Sequence, residues 1–146
     1  METVRTMLRH KGTELFWLPP DATVYQAVAM MAEKGVGALL VLSEGKLAGI
    51  LSERDYARKV ILKGKHSHET AVREIMTSSV ITVTLDHNVE DCMRLSTAHR
   101  VRHLPVMDGD ELVGMISIGD LVKSIISAQA HTIDQLSSYI EGRYPA

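Results

Sequence analysis

Gly49-Ile50-Leu51-Ser52-Glu53-Arg54-Asp55 and Gly114-Met115-Ile116-Ser117-Ile118-Gly119-Asp120 are two versions of one phrase, set 65 residues apart (120 − 55). The same offset, with no gap, lays Asp21 on Asp86, Val24 on Val89, Val36 on Val101 and Leu39 on Leu104. It continues through Val41 on Val106, Leu47 on Leu112 and Ile61 on Ile126. Self-similarity at a fixed period means one supersecondary unit used twice. Two copies are too few for a solenoid, so the units are expected to pack face to face and bring both phrases to one cleft.

Each unit reads β-α-β-β-α. In the first, the apolar run 15–18 is stopped by Pro19-Pro20, which suits an edge strand because proline cannot donate to a ladder. Asp21 or Thr23 can cap a helix whose apolar positions Val24, Ala27, Val28, Met31 and Ala32 keep helical spacing, with Gly35 as its stop. Strands at 38–42 and 47–51 flank a Glu44-Gly45 turn, and a helix follows over 52–62. The second unit repeats this order: a strand at 80–84, a helix at 89–99, strands at 104–107 and 112–117, and a helix at 118–128. Asp108-Gly109-Asp110 supplies its hairpin turn. Val72-Arg73-Glu74-Ile75-Met76 rhymes with Val4-Arg5-Thr6-Met7-Leu8, a short helical lead-in before each first strand, and the polar stretch 64–69 is the joint. Thr132-Ile133-Asp134-Gln135 reads as a capping box opening one more helix over 133–141, with Ile133, Leu136 and Ile140 on one stripe beside Tyr139. The expected division is 1–64, 65–130 and a C-terminal helix and tail over 131–146.

Composition narrows the function. Hydrophobic residues at 45% and charged residues at 23% are those of a globular protein. A net charge of −2 gives no electrostatic reason for general nucleic-acid or membrane binding. No apolar run reaches the roughly 18–20 residues that span a bilayer, and the start lacks a secretory apolar stretch. Cys92 is the only cysteine, which excludes an internal disulfide framework and makes a reducing, cytoplasmic setting the expectation. It overlays Ala27 on the apolar helix face, and His87 would not share that face, so Cys92 reads as a small core residue. Met7, Met30, Met31 and Met93 also read as core. Gly35-Val36-Gly37-Ala38 precedes a strand and lacks the third glycine of a dinucleotide loop. His66-Ser67-His68 has no accompanying ligands and reads as solvated linker, not metal site. No catalytic residue can be singled out, so no enzyme activity is expected.

The paired strands, the Val-Arg lead-ins, both Gly-x-x-Ser-x-x-Asp phrases and His99-Arg100-Val101-Arg102-His103-Leu104-Pro105-Val106 resemble a pair of CBS (cystathionine β-synthase) domains over residues 4–128. That resemblance implies an α/β fold of two β-α-β-β-α repeats related by a pseudo-two-fold axis, with short N- and C-terminal helices. It also implies a cleft for an adenine nucleotide between the repeats. It further implies a homodimer through the helices after Asp21, Ser52, Asp86 and Ser117, forming a flat disc.

Ser-x-x-Asp at a helix start is by itself a capping-box variant. Through the resemblance, Asp55 and Asp120 become acceptors for the two ribose hydroxyls, as a carboxylate with two oxygens can be. Ser52 and Ser117, with Gly119 beside the latter, lie at helix N-termini, where partial positive charge favours phosphate. Adenine would rest on aliphatic walls, since aromatic residues are scarce. The cations are unequally shared: Arg54 and Arg58, four apart, face Gly119 and Lys123, while Arg102 and His103 replace Gly37 and Ala38. Arg54, Arg58, Arg102 and His103 are therefore expected to neutralise phosphate near the shared cleft.

The expected function is a sensor of AMP, ADP, ATP or NAD(H), with no catalytic cofactor, reporting to a regulated partner or to its own assembly. S-adenosylmethionine would use the same aspartate. Two rivals remain at this point: a single-stranded nucleic-acid-binding module, disfavoured by charge and aromatic content, and a ligand-free oligomerisation scaffold in which the phrases are caps only.

Overall fold

The computed structural model describes residues 1–140. The first half contains α1 (Val4–Lys11), β1 (Trp17–Leu18), α2 (Val24–Lys34), β2 (Ala38–Ser43), β3 (Lys46–Ser52) and α3 (Glu53–Tyr56), which runs into a π-helical turn (Ala57–Ile61). The second contains α4 (Val72–Ile75), β4 (Val83–Thr84), α5 (Val89–His99), β5 (His103–Asp108), β6 (Glu111–Ser117) and α6 (Ile118–Ile140). Each half builds a three-stranded sheet, β1-β2-β3 and β4-β5-β6, with a parallel edge pair and an antiparallel hairpin. The α/β repeat architecture is the expected one. Thr23, not Asp21, caps α2, its hydroxyl accepting from Gln26 N–H, and Gly35 closes the helix at φ 66°.

The two cores do not follow the chain order. One gathers Leu18, Val24, Ala27, Met31, Leu39, Val41 and Leu51 of the first repeat together with Val72 and Ile75 of α4. The other gathers Val83, Val89, Cys92, Leu104, Val106, Ile116 and Leu121 together with Val4, Met7 and Leu8 of α1. Each lead-in thus completes the core of the repeat it does not directly precede: α1 serves the second, α4 the first. Backbone hydrogen bonds repeat the exchange, Val4 N–H to His87 O and Val89 N–H to Glu2 O on one side, Val72 N–H to Ala22 O and Val24 N–H to Thr70 O on the other. An eight-residue helix such as α1 is marginal alone. Burying Val4, Met7 and Leu8, at roughly 1.5–3 kcal/mol each, is what holds it.

The lead-ins reach their cores through glycines. A Cβ on Gly114 would lie 2.8 Å from Leu8 Cδ2, and one on Gly49 would lie 2.8 Å from both Met76 Sδ and Thr77 O. Since Gly49 and Gly114 correspond, so do Met76 and Leu8, and the lead-ins follow an offset of 68 (76 − 8) rather than 65.

Three elements differ from expectation. The helix expected at 118–128 continues unbroken to Ile140, so there is no separate C-terminal helix start. No Gly or Pro interrupts residues 120–140, and the Thr132 hydroxyl donates back to Ala128 O instead of capping a new helix. Residues 141–146, the end of that expected helix and tail, lie outside the described residues. The helix expected over 52–62 changes to π winding over Ala57–Ile61, with Leu62 N–H bonding Ala57 O. The strand expected at 80–84 is ladder-paired only at Val83 and Thr84. Leu40 N–H donates to Phe16 O at 3.1 Å, whereas Pro105 at the corresponding place has no N–H to give Ile81.

Gly49→Ala is expected to cost about 1–3 kcal/mol, and more than Gly114→Ala. The obstacle at Gly49 includes a backbone carbonyl in a bridge to Ile50, while Leu8 can rotate its methyls away. Urea unfolding of the two variants measures this, and equal costs would contradict it.

Candidate functional site

Both Ser-x-x-Asp phrases form reciprocal caps. Asp55 Oδ2 accepts from Ser52 N–H at 2.9 Å and Ser52 Oγ at 3.1 Å, and Asp55 N–H donates to Ser52 Oγ. Asp120 and Ser117 repeat this at 2.8 and 3.0 Å. Each helix start is also tied to the loop before the central strand, Glu53 N–H to Gly37 O and Ile118 N–H to Arg102 O. The phrases therefore sit in fixed positions relative to the segments around Gly37 and Arg102.

A cavity of about 420 Å³ opens beside the first phrase. Gly37, Ile50, Ser52, Glu53, Arg54 and Asp55 line it from the first half. Thr77, Ser79, Val80, Ile81 and the run from Arg100 to His103 line it from the second. Val80 and Ile81 lie just before the ladder-paired residues Val83 and Thr84. Ile50, Val80, Ile81 and Val101 form an aliphatic wall, and Arg54, Arg100 and Arg102 share the lining with the carboxylates of Glu53 and Asp55. Among the described residues, the guanidinium groups of Arg54, Arg100 and Arg102 make no salt bridge and no side-chain hydrogen bond.

Of the residues expected at the site, Ser52, Arg54, Asp55, Arg102 and His103 come together here. Ser117, Gly119 and Asp120 do not line this cavity; Asp120 faces a more open groove with Glu2, Met7, His10, Lys11, Lys123, Ser124 and Ser127. Arg58 lies exposed on the π turn, away from the lining. His103 was expected as a cation, but burial first, and then the charges of Lys11 and Arg102, push its imidazole below the ordinary value against the opposing pull of Asp120. It is a neutral ring at pH 7. Arg100 and Ser79 escaped the sequence reading. Arg100 caps α5 at φ 54° in the left-handed region, where its counterpart Gly35 stands at φ 66°. A bulky residue there at a cost of order 1 kcal/mol was the available signal.

Both aspartates have lysine partners. Lys59 Nζ lies 3.1 Å from Asp55 Oδ1 and donates to Ile75 O, and Lys11 Nζ lies 2.7 Å from Asp120 Oδ2 and donates to Met115 O at 2.6 Å. Burial pushes the Asp120 carboxyl up, but the hydrogen bonds from Lys11 and Ser117 outweigh it and hold it below the usual carboxylate range. Burial pushes the Cys92 thiol up to about 11, as suits a core residue. His68 stacks on Tyr25, ring centres 3.9 Å apart, and among the described residues no cluster of three His, Cys, Asp or Glu could hold a metal. No helix among them is long and apolar enough to cross a membrane.

The sequence matches the CBS domain family over residues 4–62 and again over 72–127. The chain belongs to the CBS-domain family. The CBS domain-containing protein CBSX3, mitochondrial, of Arabidopsis thaliana is 40% identical over 97% of this chain and 73% of its own. A solved CBS-domain protein of Burkholderia ambifaria MC40-6 is 49% identical, superposes with a TM-score of 0.84 and covers 87% of this chain and 96% of its own. At 22% identity the CBS pair of protein MJ0100, solved in complex with 5′-methylthioadenosine and S-adenosyl-L-methionine, shares the fold with a TM-score of 0.78 over 88% of this chain and 98% of its own.

A depressed folded-state value for His103 means that the unfolded chain takes up a proton first as pH falls. The neutral ring's contribution is then present above the ordinary imidazole value and lost as pH drops through the lower folded one. Thermal unfolding is expected to show a lower Tm at pH 5.5 than at pH 7.5, and His103→Gln is expected to flatten the slope. An unchanged slope in His103→Gln would place the effect elsewhere.

Proposed function

We propose that this CBS pair is a regulatory module that binds an adenine nucleotide non-covalently in the cavity beside Asp55 and carries out no reaction. The observation that carries the reading is the meeting of a capped carboxylate, an aliphatic wall and three uncommitted arginines in one cavity of ligand size. Asp55 accepts from the ribose hydroxyls, adenine rests on Ile50, Val80, Ile81 and Val101, and phosphate lies toward Arg54, Arg100 and Arg102. His103 and Ser79 serve as neutral hydrogen-bonding groups, and Ser52 fixes the carboxylate. The adenosine ligands of protein MJ0100 support adenosine as the common part, while the arginines favour a phosphorylated form such as AMP, ADP, ATP or NAD(H) over S-adenosylmethionine, which carries no phosphate. A reducing compartment, the cytoplasm in this reading, suits the single buried thiol.

Thermal shift with AMP and adenosine tests the site. A ligand at 100 times its dissociation constant adds about 2.7 kcal/mol of stability. AMP is expected to give a large shift and adenosine a much smaller one, with raised salt narrowing the gap. Arg100→Gly, which relieves the left-handed backbone, is expected to keep or raise stability while losing most of the AMP advantage. Asp55→Ala is expected to weaken binding of both ligands by about 1–3 kcal/mol, with up to ~1 kcal/mol of stability lost as a cap. Equal shifts for AMP and adenosine in the wild-type protein would remove the phosphate reading.

The module's readout is proposed to be assembly with a second copy. Along α6, Ile126, Ile133 and Ile140 recur every seven residues, Val122 and Leu136 share a second seven-residue register with Gln129 between them, and the five apolar residues are exposed, Ile140 at 81%. A seven-residue apolar seam is the pattern of paired helices. Light scattering is expected to give a dimer at micromolar concentration and a smaller species for Ile133→Glu; a wild-type monomer would contradict it.

A further inference from the structure

We propose that Lys11 is a built-in occupant of the second phrase, so that each chain takes one nucleotide, at Asp55, and keeps Asp120 for itself. The inference rests on the nucleotide reading above and adds what distinguishes the two halves. The lead-in offset of 68 places Lys11 opposite Ser79 (79 − 11), and Ser79 lines the open cavity.

The backbone around the two positions differs in the same sense. In the open half, α4 ends at Ile75 and the chain runs on extended, so that Ile50 O accepts from Thr77 N–H at 2.9 Å. In the other half, α1 stays helical through Lys11. The corresponding carbonyl, Met115 O, accepts instead from the Lys11 ammonium at 2.6 Å. That ammonium is also 2.7 Å from Asp120 Oδ2, an oxygen already accepting from Ser117 N–H and Oγ. Lys59 engages Asp55 differently, from four residues along the same helix and at the other carboxylate oxygen, and Asp55 still lines its cavity. A ribose that takes both oxygens of Asp120 must displace a charge-assisted contact that ties α1 to both β6 and α6.

Phosphate would meet His10 and Lys123 in that groove but no arginine. Where Arg100, Arg102 and His103 flank the open cavity, the same offset of 65 puts Gly35, Gly37 and Ala38. A second site freed of Lys11 would therefore suit an uncharged nucleoside better than a nucleotide. Lys11 sets both the number of sites and the class of ligand that the second could accept.

Calorimetric titration of the full chain with AMP and with adenosine tests this, using Lys11→Ser, which copies Ser79, and Lys11→Met, which keeps the stem without the charge. The wild-type chain is expected to take one AMP, and Asp120→Asn to leave AMP affinity within about twofold. Lys11→Ser or Lys11→Met, shown folded by circular dichroism, is expected to raise adenosine stoichiometry from one to two while AMP affinity at Asp55 is unchanged. Two ligands on the wild type, one adenosine on both folded variants, or AMP binding lost in Asp120→Asn would each overturn the proposal. No binding by the wild type with one adenosine on Lys11→Ser would instead overturn the Asp55 reading and sustain the role of Lys11. No binding by any of them overturns both.

Discussion

The close approach of Leu8 to Gly114 and of Met76 to Gly49 is the constraint on which the rest of the molecule depends. Neither three-stranded sheet has a complete core of its own. Each takes apolar side chains from the lead-in helix that stands before the other repeat in the sequence, and only a residue without a Cβ lets that helix come near enough. The consequence reaches the cleft directly. Where the lead-ins stop decides what stands beside each Ser-x-x-Asp phrase: an extended segment carrying Ser79 in one half, the last turn of a helix carrying Lys11 in the other.

The phrases are caps whatever else they do. Asp55 and Asp120 each satisfy their serine's backbone N–H and hydroxyl, so the carboxylates are already oriented before any ligand arrives. Such preorganisation lowers the ordering cost of binding. It also explains why duplication of the phrase does not imply duplication of the site. The cap is preserved in both copies, while Arg54, Arg102 and the left-handed Arg100 have glycine at the corresponding places in the other half. Half-buried His103 stays uncharged among cations.

The repeat, both hairpins and the helices at 24–34 and 89–99 were legible because apolar spacing, Gly35 and Asp108-Gly109 all pointed one way. Ser52, Arg54, Asp55, Arg102 and His103 were legible as a group, through the phrase and through what replaces Gly37 and Ala38. The charge state of His103 was not, because burial is a property of the folded cleft. The length of α6 was misjudged because Thr132-x-x-Gln135 imitates a cap, yet only a broken helix would leave N–H groups for it to satisfy. Lys11 was hidden by applying one offset to the whole chain; the rhyme of Val72-Arg73 with Val4-Arg5 carried the second offset that exposes it.

Backbone amide NMR during titration with AMP tests the central claim, one nucleotide held across both halves at the first phrase, most directly. The account predicts saturable shifts at residues 52–55, 77–81 and 100–103, moving together with one dissociation constant, and none of comparable size at 117–120 or at Lys11. Shifts centred on Ser117 and Asp120, or confined to one half of the chain, would contradict it.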